Sequence, residues 1–156
     1  MLQHLSLTVI LAFSARTMST TAAAAAATTA AEVSGCLSSG SVSIMVRNAG
    51  EKDVNGDFAP RPAHEIPRGF ASTCHENNWQ PAAMWKQLSD GKRAWFESAN
   101  GSYFYWNRGD RHWWLDGPSG AGFYIARDDG KLPPVSGWVP VTPSIRMPAP
   151  TVRTIV

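Results

Sequence analysis

The sequence predicts an all-β fold, a small antiparallel meander or partly open barrel with irregular proline-rich loops and disordered termini. Three observations favour it. The 156-residue chain contains 7 Trp, 13 Gly and 11 Pro, which is typical of a loop-rich domain stabilised by aromatic rings. Several segments alternate apolar and polar residues as half-buried strands do. Asn100-Gly101 and Gly109-Asp110 lie between such segments and indicate tight turns.

Composition divides the chain into three parts. Residues 1–35 are interpreted as a leader or low-complexity tail, because the first 31 contain no Asp or Glu and are rich in Ala, Ser and Thr. Residues 40–142 form the predicted Trp-rich β domain. Residues 143–156, which include Pro143, Pro148 and Pro150, are interpreted as an extended Pro-rich C-terminal tail.

The N-terminal part is open to two interpretations. Leu5–Phe13 is a nine-residue apolar run, too short to span a bilayer but long enough for the core of a signal peptide. The Ala-rich stretch after it is typical of a transit peptide, so secretory or plastid targeting is one interpretation. Alternatively, translation starts at Met18 and leaves a low-complexity tail on a cytoplasmic protein.

Charge and residue chemistry exclude several function classes. A net charge of +2 gives no basic field for nucleic acid, and no segment is long enough for a membrane span. Cys36 and Cys74 could form one disulfide or remain two thiols, depending on the compartment. Cys74, His75 and Glu76 are adjacent, so in an extended chain they point to opposite faces and need partners elsewhere to act as a catalytic set. We therefore predict no catalytic residues, no metal site and no cofactor.

The remaining segments differ in how clearly they indicate structure. In "SVSIMVR", Val42, Ile44 and Val46 share one face of a predicted strand. The stretch from Asp57 to Pro81 is predicted to be irregular, because four prolines interrupt it. "AAMWKQL" fits either a strand or one helical turn. "GFYIAR" and "GWVPV" are predicted as the fourth and fifth strands of the meander.

The turn signals predict which residues pair in the central strands. A two-residue type I′ turn at Asn100-Gly101 would pair Ser98 with Tyr103, Phe96 with Tyr105, and Trp95 with Trp106. A turn at Gly109-Asp110 would pair Trp106 with Trp113 and Tyr105 with Trp114.

This register sorts the rings into two faces, because strand side chains alternate. The first face is predicted to be core and carries Trp95, Phe104, Trp106, Trp113 and Leu115. The second mixes phenols, an amide and an imidazole with a Trp, and carries Phe96, Ser98, Tyr103, Tyr105, Asn107, His112 and Trp114. That composition is typical of a ring-lined binding platform. The alternative is that residues between Asp57 and Trp85 cover this face and make it a second core.

We therefore predict a non-catalytic binding or accessory module. Its ligand, a proline-rich peptide or a carbohydrate, would contact Tyr103, Tyr105, His112 and Trp114. A purely structural β domain without a ligand is the second hypothesis. A small enzyme using Cys74 and His75 is the third.

Two resemblances bear on this hypothesis. "NAGEKDVNGDF", "RAWFESANGSYFYWN", "RHWWLDGPSGAGFYIA" and "PPVSGW" together resemble a tryptophan-rich module of algal and protist proteins. That resemblance covers Arg47 to Val141 and implies a small all-β module without catalysis, often an accessory to other domains.

The second resemblance is to the WW domain. "GSYFYWNRGDRHWWLDGP" is similar to the second and third strands of that family. It implies that Tyr103 or Tyr105, together with Trp114, would clamp a proline. The turn is shorter than in the family, and Pro118 lies one place too far from Trp114.

Overall fold

The computed structural model describes residues 42–156, so the N-terminal interpretations and the pairing of Cys36 lie outside the described residues. This part of the chain is mostly antiparallel β structure, which confirms the predicted all-β class. Its eight strands are β1 Ser43–Arg47, β2 Gly56–Arg61, β3 Trp95–Ser98, β4 Tyr103–Asn107, β5 His112–Asp116, β6 Gly122–Arg127, β7 Val139–Pro140 and β8 Thr151–Ile155. A 3-10 turn at Lys52–Val54 and two helices, α1 Arg68–Glu76 and α2 Pro81–Leu88, complete the order.

The strands form one curled half-barrel sheet in the order β7-β6-β5-β4-β3-β2-β1-β8. Strands β1 to β7 follow one another across the sheet as a meander, of which the part from β3 to β7 was predicted. Strand β8 breaks this order, because it returns to pair with β1 from Ser43 opposite Ile155 to Arg47 opposite Thr151.

The hairpin between β3 and β4 is one residue longer than predicted. The backbone N–H of Ser98 donates to Ser102 O at 2.9 Å, which leaves Ala99, Asn100 and Gly101 as a three-residue loop. Gly101 has a φ of 89°, which suits the left-handed residue that ends such a loop. Phe96 therefore pairs with Phe104 rather than with Tyr105.

This shift corrects the predicted face of every residue in β3. Trp95, predicted on the first face, lies on the second with Tyr103, whereas Phe96 lies on the first with Phe104. A change of one residue in register moves all side chains of a strand to the other face. Downstream the prediction is confirmed, because Tyr105 pairs with Trp114 and Trp106 with Trp113.

Both faces of the sheet are covered. The first face carries what we call the strap core, whose buried members are Ile44, Val46, Ala49, Val54, Phe58, Phe96, Phe104, Trp113, Leu115, Tyr124, Ala126, Trp138 and Val152. Ile145 and Ala149, from the segment between β7 and β8, pack against it. The second face carries the helix core, formed by Phe70, Cys74, Trp85, Leu88, Trp95, Tyr103, Tyr105 and Trp114.

Helix α1 lies in a region in which prolines predicted irregular structure, whereas α2 contains the segment "AAMWKQL", which fitted either a strand or one helical turn. Pro67 immediately precedes α1 and Pro81 begins α2, so both prolines lie where a missing N–H costs no helical hydrogen bond. Phe70 and Cys74 recur at helical spacing and are buried in α1. The prediction of an irregular segment from Asp57 to Pro81 is therefore wrong for β2 and α1.

A close backbone contact seats α1 on the sheet. A Cβ added at Gly69 would lie 2.7 Å from both Pro118 O and Gly120 N, so only glycine permits this approach. Thr73 Oγ1 donates to Ser119 O at 3.2 Å from the next turn of the helix. The helix is therefore fixed to the loop between β5 and β6.

The interpretation of residues 143–156 as a tail is wrong. Val152 in β8 is 1% exposed and belongs to the strap core. The Tyr124 hydroxyl donates to Arg146 O and accepts the backbone N–H of Glu51 at 3.1 Å. Gly50 N donates to Pro148 O at 2.8 Å, which ties the same segment to the loop after β1.

We expect a chain ending at Thr142 to be destabilised by at least about 3 kcal/mol, because it loses the buried side chain of Val152 and the packing of Ile145 and Ala149. Urea denaturation followed by Trp fluorescence measures this loss. A chain lacking only Val156, which is 93% exposed, is the matched control and should unfold at the same urea concentration as the full chain. Equal midpoints for all three chains would contradict a structural role for β8.

Candidate functional site

The predicted ring platform exists as a cluster, but it is not exposed. Tyr103, Tyr105 and Trp114 are 1%, 3% and 2% exposed, respectively. Phe70 of α1 lies 6.2 Å from the Tyr105 ring, and Trp85 of α2 lies 5.5 Å from it, between centroids. The prediction of an open platform is therefore wrong, and the alternative of a second core under residues from the Asp57–Trp85 segment describes the structure.

Two indole hydrogen bonds hold this cover in place. Trp95 Nε1 donates to Pro62 O and Trp85 Nε1 donates to Ala63 O, each at 3.0 Å. Both carbonyls belong to the connection between β2 and α1. Trp85 and Trp95 thus satisfy their indole N–H groups by binding the segment that leads to the first covering helix.

The ring pair suggested by the WW resemblance is present but enclosed. Tyr105 and Trp114 are cross-strand neighbours with centroids 6.4 Å apart and planes inclined by 31°. Phe70 and Trp85 pack against Tyr105, where the WW resemblance would place a proline ring of the ligand. In this conformation the pair contributes to the hydrophobic core.

Of the predicted site residues, His112 alone retains substantial exposure, with 25% of its side chain accessible. Its Nδ1 lies 2.7 Å from Asp110 O. Asp110 Oδ1 accepts the backbone N–H of His112 at 3.0 Å, and Oδ2 accepts Trp114 Nε1 at 2.9 Å. Burial raises the pKa of Asp110, and these hydrogen bonds oppose the shift. Arg108, Gly109 and Asp110 thus belong to the β4–β5 hairpin loop, and the Asp110 carboxylate already binds its own chain.

A second carboxyl group, that of Asp116, is fully enclosed. Asp116 pairs across the sheet with Tyr103, and the two side chains interact, but neither Tyr103 Oη nor Asp116 Oδ1 makes a hydrogen bond of normal geometry. Burial raises the pKa of Asp116 to about 8, and the nearby Tyr103 hydroxyl opposes that rise only in part. Burial also raises the pKa values of Tyr103 and Tyr105 well above their usual range. Asp116 is therefore mostly protonated at neutral pH.

The Cys74, His75 and Glu76 run does not assemble a catalytic set. Cys74 is buried in the helix core, whereas His75 and Glu76 are exposed on α1. Burial raises the pKa of the Cys74 thiol, which keeps it in the less nucleophilic form. Within residues 42–156, no group of three or more His, Cys, Asp or Glu side chains could hold a metal ion.

An open groove lies where α1 begins. Its volume is about 360 Å³, and its lining residues are Arg68, Glu97, Ser98, Ala99, Asn100, Gly101 and Pro118. The contact of Gly69 with Pro118 and Gly120 brings the first residue of α1 beside the β3–β4 loop and so creates the groove. Sequence reasoning missed this groove because it left the residues of α1 irregular.

The polar groups of the groove differ in how many hydrogen bonds and ion pairs they already make within the protein. Asn100 Nδ2 donates to Asp53 O at 2.7 Å, and its Oδ1 accepts Ser98 Oγ and the N–H of Ser102. Glu97 lies 3.5 Å from Arg61 Nε. Arg68 makes no hydrogen bond or ion pair to another described residue. A guanidinium and a carboxylate are therefore the groups that the groove offers to a ligand.

Comparison with known proteins finds no relative of this chain. No family model matches the chain, and neither a curated protein nor a solved structure matches it significantly. The resemblances to the tryptophan-rich module and to the WW domain thus stay predictions. None of the helices in the described part of the chain is long and apolar enough to cross a membrane.

We expect the free energy of unfolding to fall as pH rises from about 5 to about 8, because folded Asp116 binds a proton that an unfolded Asp, with a pKa of 3.8, releases. The stability from this group is complete below the unfolded pKa and is lost as pH rises to about 8. Between pH 5 and pH 8 the loss is about 4 kcal/mol, because the unfolded group is already ionised over nearly three pH units in which the folded group keeps its proton, and each unit corresponds to about 1.4 kcal/mol. Urea denaturation at several pH values measures it.

Asp116→Asn is the matched control, because a neutral amide replaces the neutral acid. The pH slope should largely disappear in this variant. If the slope persists at full size in Asp116→Asn, another group causes it and the account of Asp116 is wrong.

Proposed function

We propose that the protein is a non-catalytic binding module, and that its ligand is a carbohydrate bound in the groove between α1 and the β3–β4 loop. The observation that carries this proposal is the Arg68 guanidinium, which stands without a partner among the described residues and lines the same groove as the Glu97 carboxylate. A guanidinium only donates hydrogen bonds and a carboxylate only accepts them. A sugar hydroxyl does both, so neighbouring hydroxyls of one ring can bind both side chains.

The composition of the groove favours a carbohydrate over a proline-rich peptide. Proline recognition uses exposed aromatic rings, and no aromatic side chain lines this groove. The rings suggested for that role, those of Tyr105 and Trp114, are covered by the helices. In this proposal the ligand therefore binds beside the helix core, between Arg68 and the β3–β4 loop, and does not contact the aromatic rings of that core.

A purely structural role is the second candidate. It is favoured by the burial of the Trp and Tyr rings on both faces of the sheet, which places them where they stabilise the fold. The two candidates differ in one measurable property, since only the first requires a ligand at the groove.

We expect titration of the ¹⁵N-labelled protein with neutral mono- and oligosaccharides to shift the backbone amide signals of Arg68 and of Ala99–Gly101. Arg68→Ala and Glu97→Gln should each weaken the affinity at least about tenfold, because a hydrogen bond to a charged group contributes about 1.5–3 kcal/mol. Arg68 is exposed, so its replacement should leave stability unchanged.

Lys131→Ala, which removes an exposed cation outside the groove, should bind as the natural chain does. If no saccharide shifts the groove amides, the structural role is favoured. Equal affinities for the natural chain and the Arg68→Ala and Glu97→Gln variants would place the ligand elsewhere.

A further inference from the structure

The two edges of the sheet are unequally protected. Strand β7 has two residues, Val139 and Pro140, and proline has no N–H to offer a further strand. Strand β8 has five residues without proline, and on the side away from β1 it has no strand partner among the described residues. Such an edge presents unpaired backbone N–H and C=O groups that can accept another strand.

Strand β8 is also rigidly held and suited to pairing. Val152 is 1% exposed, so the strand is anchored in the strap core while its outer edge is open. Four of its five residues, those other than Arg153, are β-branched, which favours extended structure. Ile155 is 41% exposed and Val156 is 93% exposed, so apolar surface continues past the end of the strand.

The charge beside this edge indicates what kind of strand would bind. Arg153 pairs with Met45 across β1, and both line an exposed groove of about 210 Å³ together with Arg47, Asn48 and Thr151. Arg47 is bound to Asp57 at 2.9 Å. Arg153 has no acidic partner within the described residues, so its positive charge is not neutralised by a neighbouring strand.

We propose that the outer edge of β8 binds an extended peptide strand that carries a carboxylate side chain opposite Arg153. Directly opposite residues of an antiparallel pair have Cβ atoms about 4.5–5.5 Å apart, close enough for an ion pair. Backbone hydrogen bonds supply affinity in this mode of binding, and alternate side chains supply specificity. This site goes beyond the proposed carbohydrate groove and does not depend on it.

The same charge disfavours a second copy of the chain as the occupant. Antiparallel pairing of all of β8 with a second copy would be centred on Arg153, and the two guanidinium groups would then repel each other. Among residues 1–41 of the chain itself, Glu32 is the one acidic residue, so a Glu32→Gln chain should bind the Glu probe as the natural chain does.

The test uses two synthetic seven-residue probes in which Val and Thr alternate, one with Glu at the centre and one with Lys there. We expect the Glu probe to bind the full chain at least tenfold more tightly than the Lys probe. Arg153→Glu should reverse this preference. Because Arg153 is exposed, this variant should fold as the natural chain does, and a urea denaturation curve checks that.

Amide hydrogen exchange distinguishes strand addition from simple charge attraction. On binding the Glu probe, alternate backbone amides of β8, those that point away from β1, should exchange more slowly. Arg68→Ala is the matched control, because it alters the carbohydrate groove and should leave binding of the Glu probe unchanged.

Three results would overturn the proposal. The Glu probe could bind the Arg153→Glu variant as tightly as it binds the natural chain, or it could bind without slowing amide exchange in β8. The third result is that a second copy of the chain already occupies the edge. Analytical ultracentrifugation tests the last of these, and we expect a monomer. If the natural chain binds the Glu probe but no saccharide, the carbohydrate groove alone is refuted.

Discussion

The register between β3 and β4 determines which side chains each face of the sheet carries, and so which faces the rest of the chain has to cover. The loop Ala99–Gly101 contains three residues, and Gly101 occupies the left-handed conformation that closes it. As a result, Trp95 shares a face with Tyr103, whereas Phe96 shares the other face with Phe104. Both faces of the central strands are then strongly apolar, and a sheet of this kind needs a cover on each side.

The chain supplies two covers of different construction. On the second face, α1 and α2 bring Phe70 and Trp85 onto Tyr105. On the first face, the segment between β7 and β8 contributes Ile145 and Ala149 and is bound through the Tyr124 hydroxyl. The sheet faces of the central strands are thereby used for stability. The two binding surfaces that we propose lie at the margins of these covers, where α1 begins and where β8 ends the sheet.

The enclosed polar groups show that the helix core is not optimised for stability alone. Tyr103 Oη and Asp116 Oδ1 make no hydrogen bond of normal geometry, and an unpaired buried polar group costs about 1–3 kcal/mol. Protonation reduces that cost for Asp116, because the neutral acid tolerates burial far better than the carboxylate. Asp116 also directly precedes the loop whose backbone contacts Gly69 and Thr73 of α1.

Strand periodicity and turn residues predicted the centre of the sheet. The pairs Tyr105–Trp114 and Trp106–Trp113 are confirmed, because the turn signal at Gly109-Asp110 gave the register of β4 against β5 correctly. The one-residue error at Asn100-Gly101 arose because the same dipeptide also fits a three-residue loop, and a turn signal alone does not separate the two.

Elements that depend on tertiary contacts could not be predicted from strand periodicity and turn residues. Helix α1 is short and begins after Pro67, and its helical spacing amounts to two buried residues, Phe70 and Cys74. Strand β8 follows Pro148 and Pro150 and is stabilised by β1, more than one hundred residues earlier in the chain. The exposure of a ring face depends on these distant elements. For that reason the sequence predicted the members Tyr103, Tyr105 and Trp114 of the cluster correctly and their accessibility wrongly.

The central claim is that the two helices cover the second face, and the reactivity of Cys74 tests it most directly. In a Cys36→Ser chain, Cys74 is the remaining thiol, and a thiol reagent such as DTNB reports when it meets solvent. The account predicts that Cys74 in the folded chain reacts at least about a thousandfold more slowly than in the denatured chain at the same pH, because reaction requires an unfolding event. Reaction of the folded chain within about tenfold of the denatured rate would show that the face is open and would contradict the account.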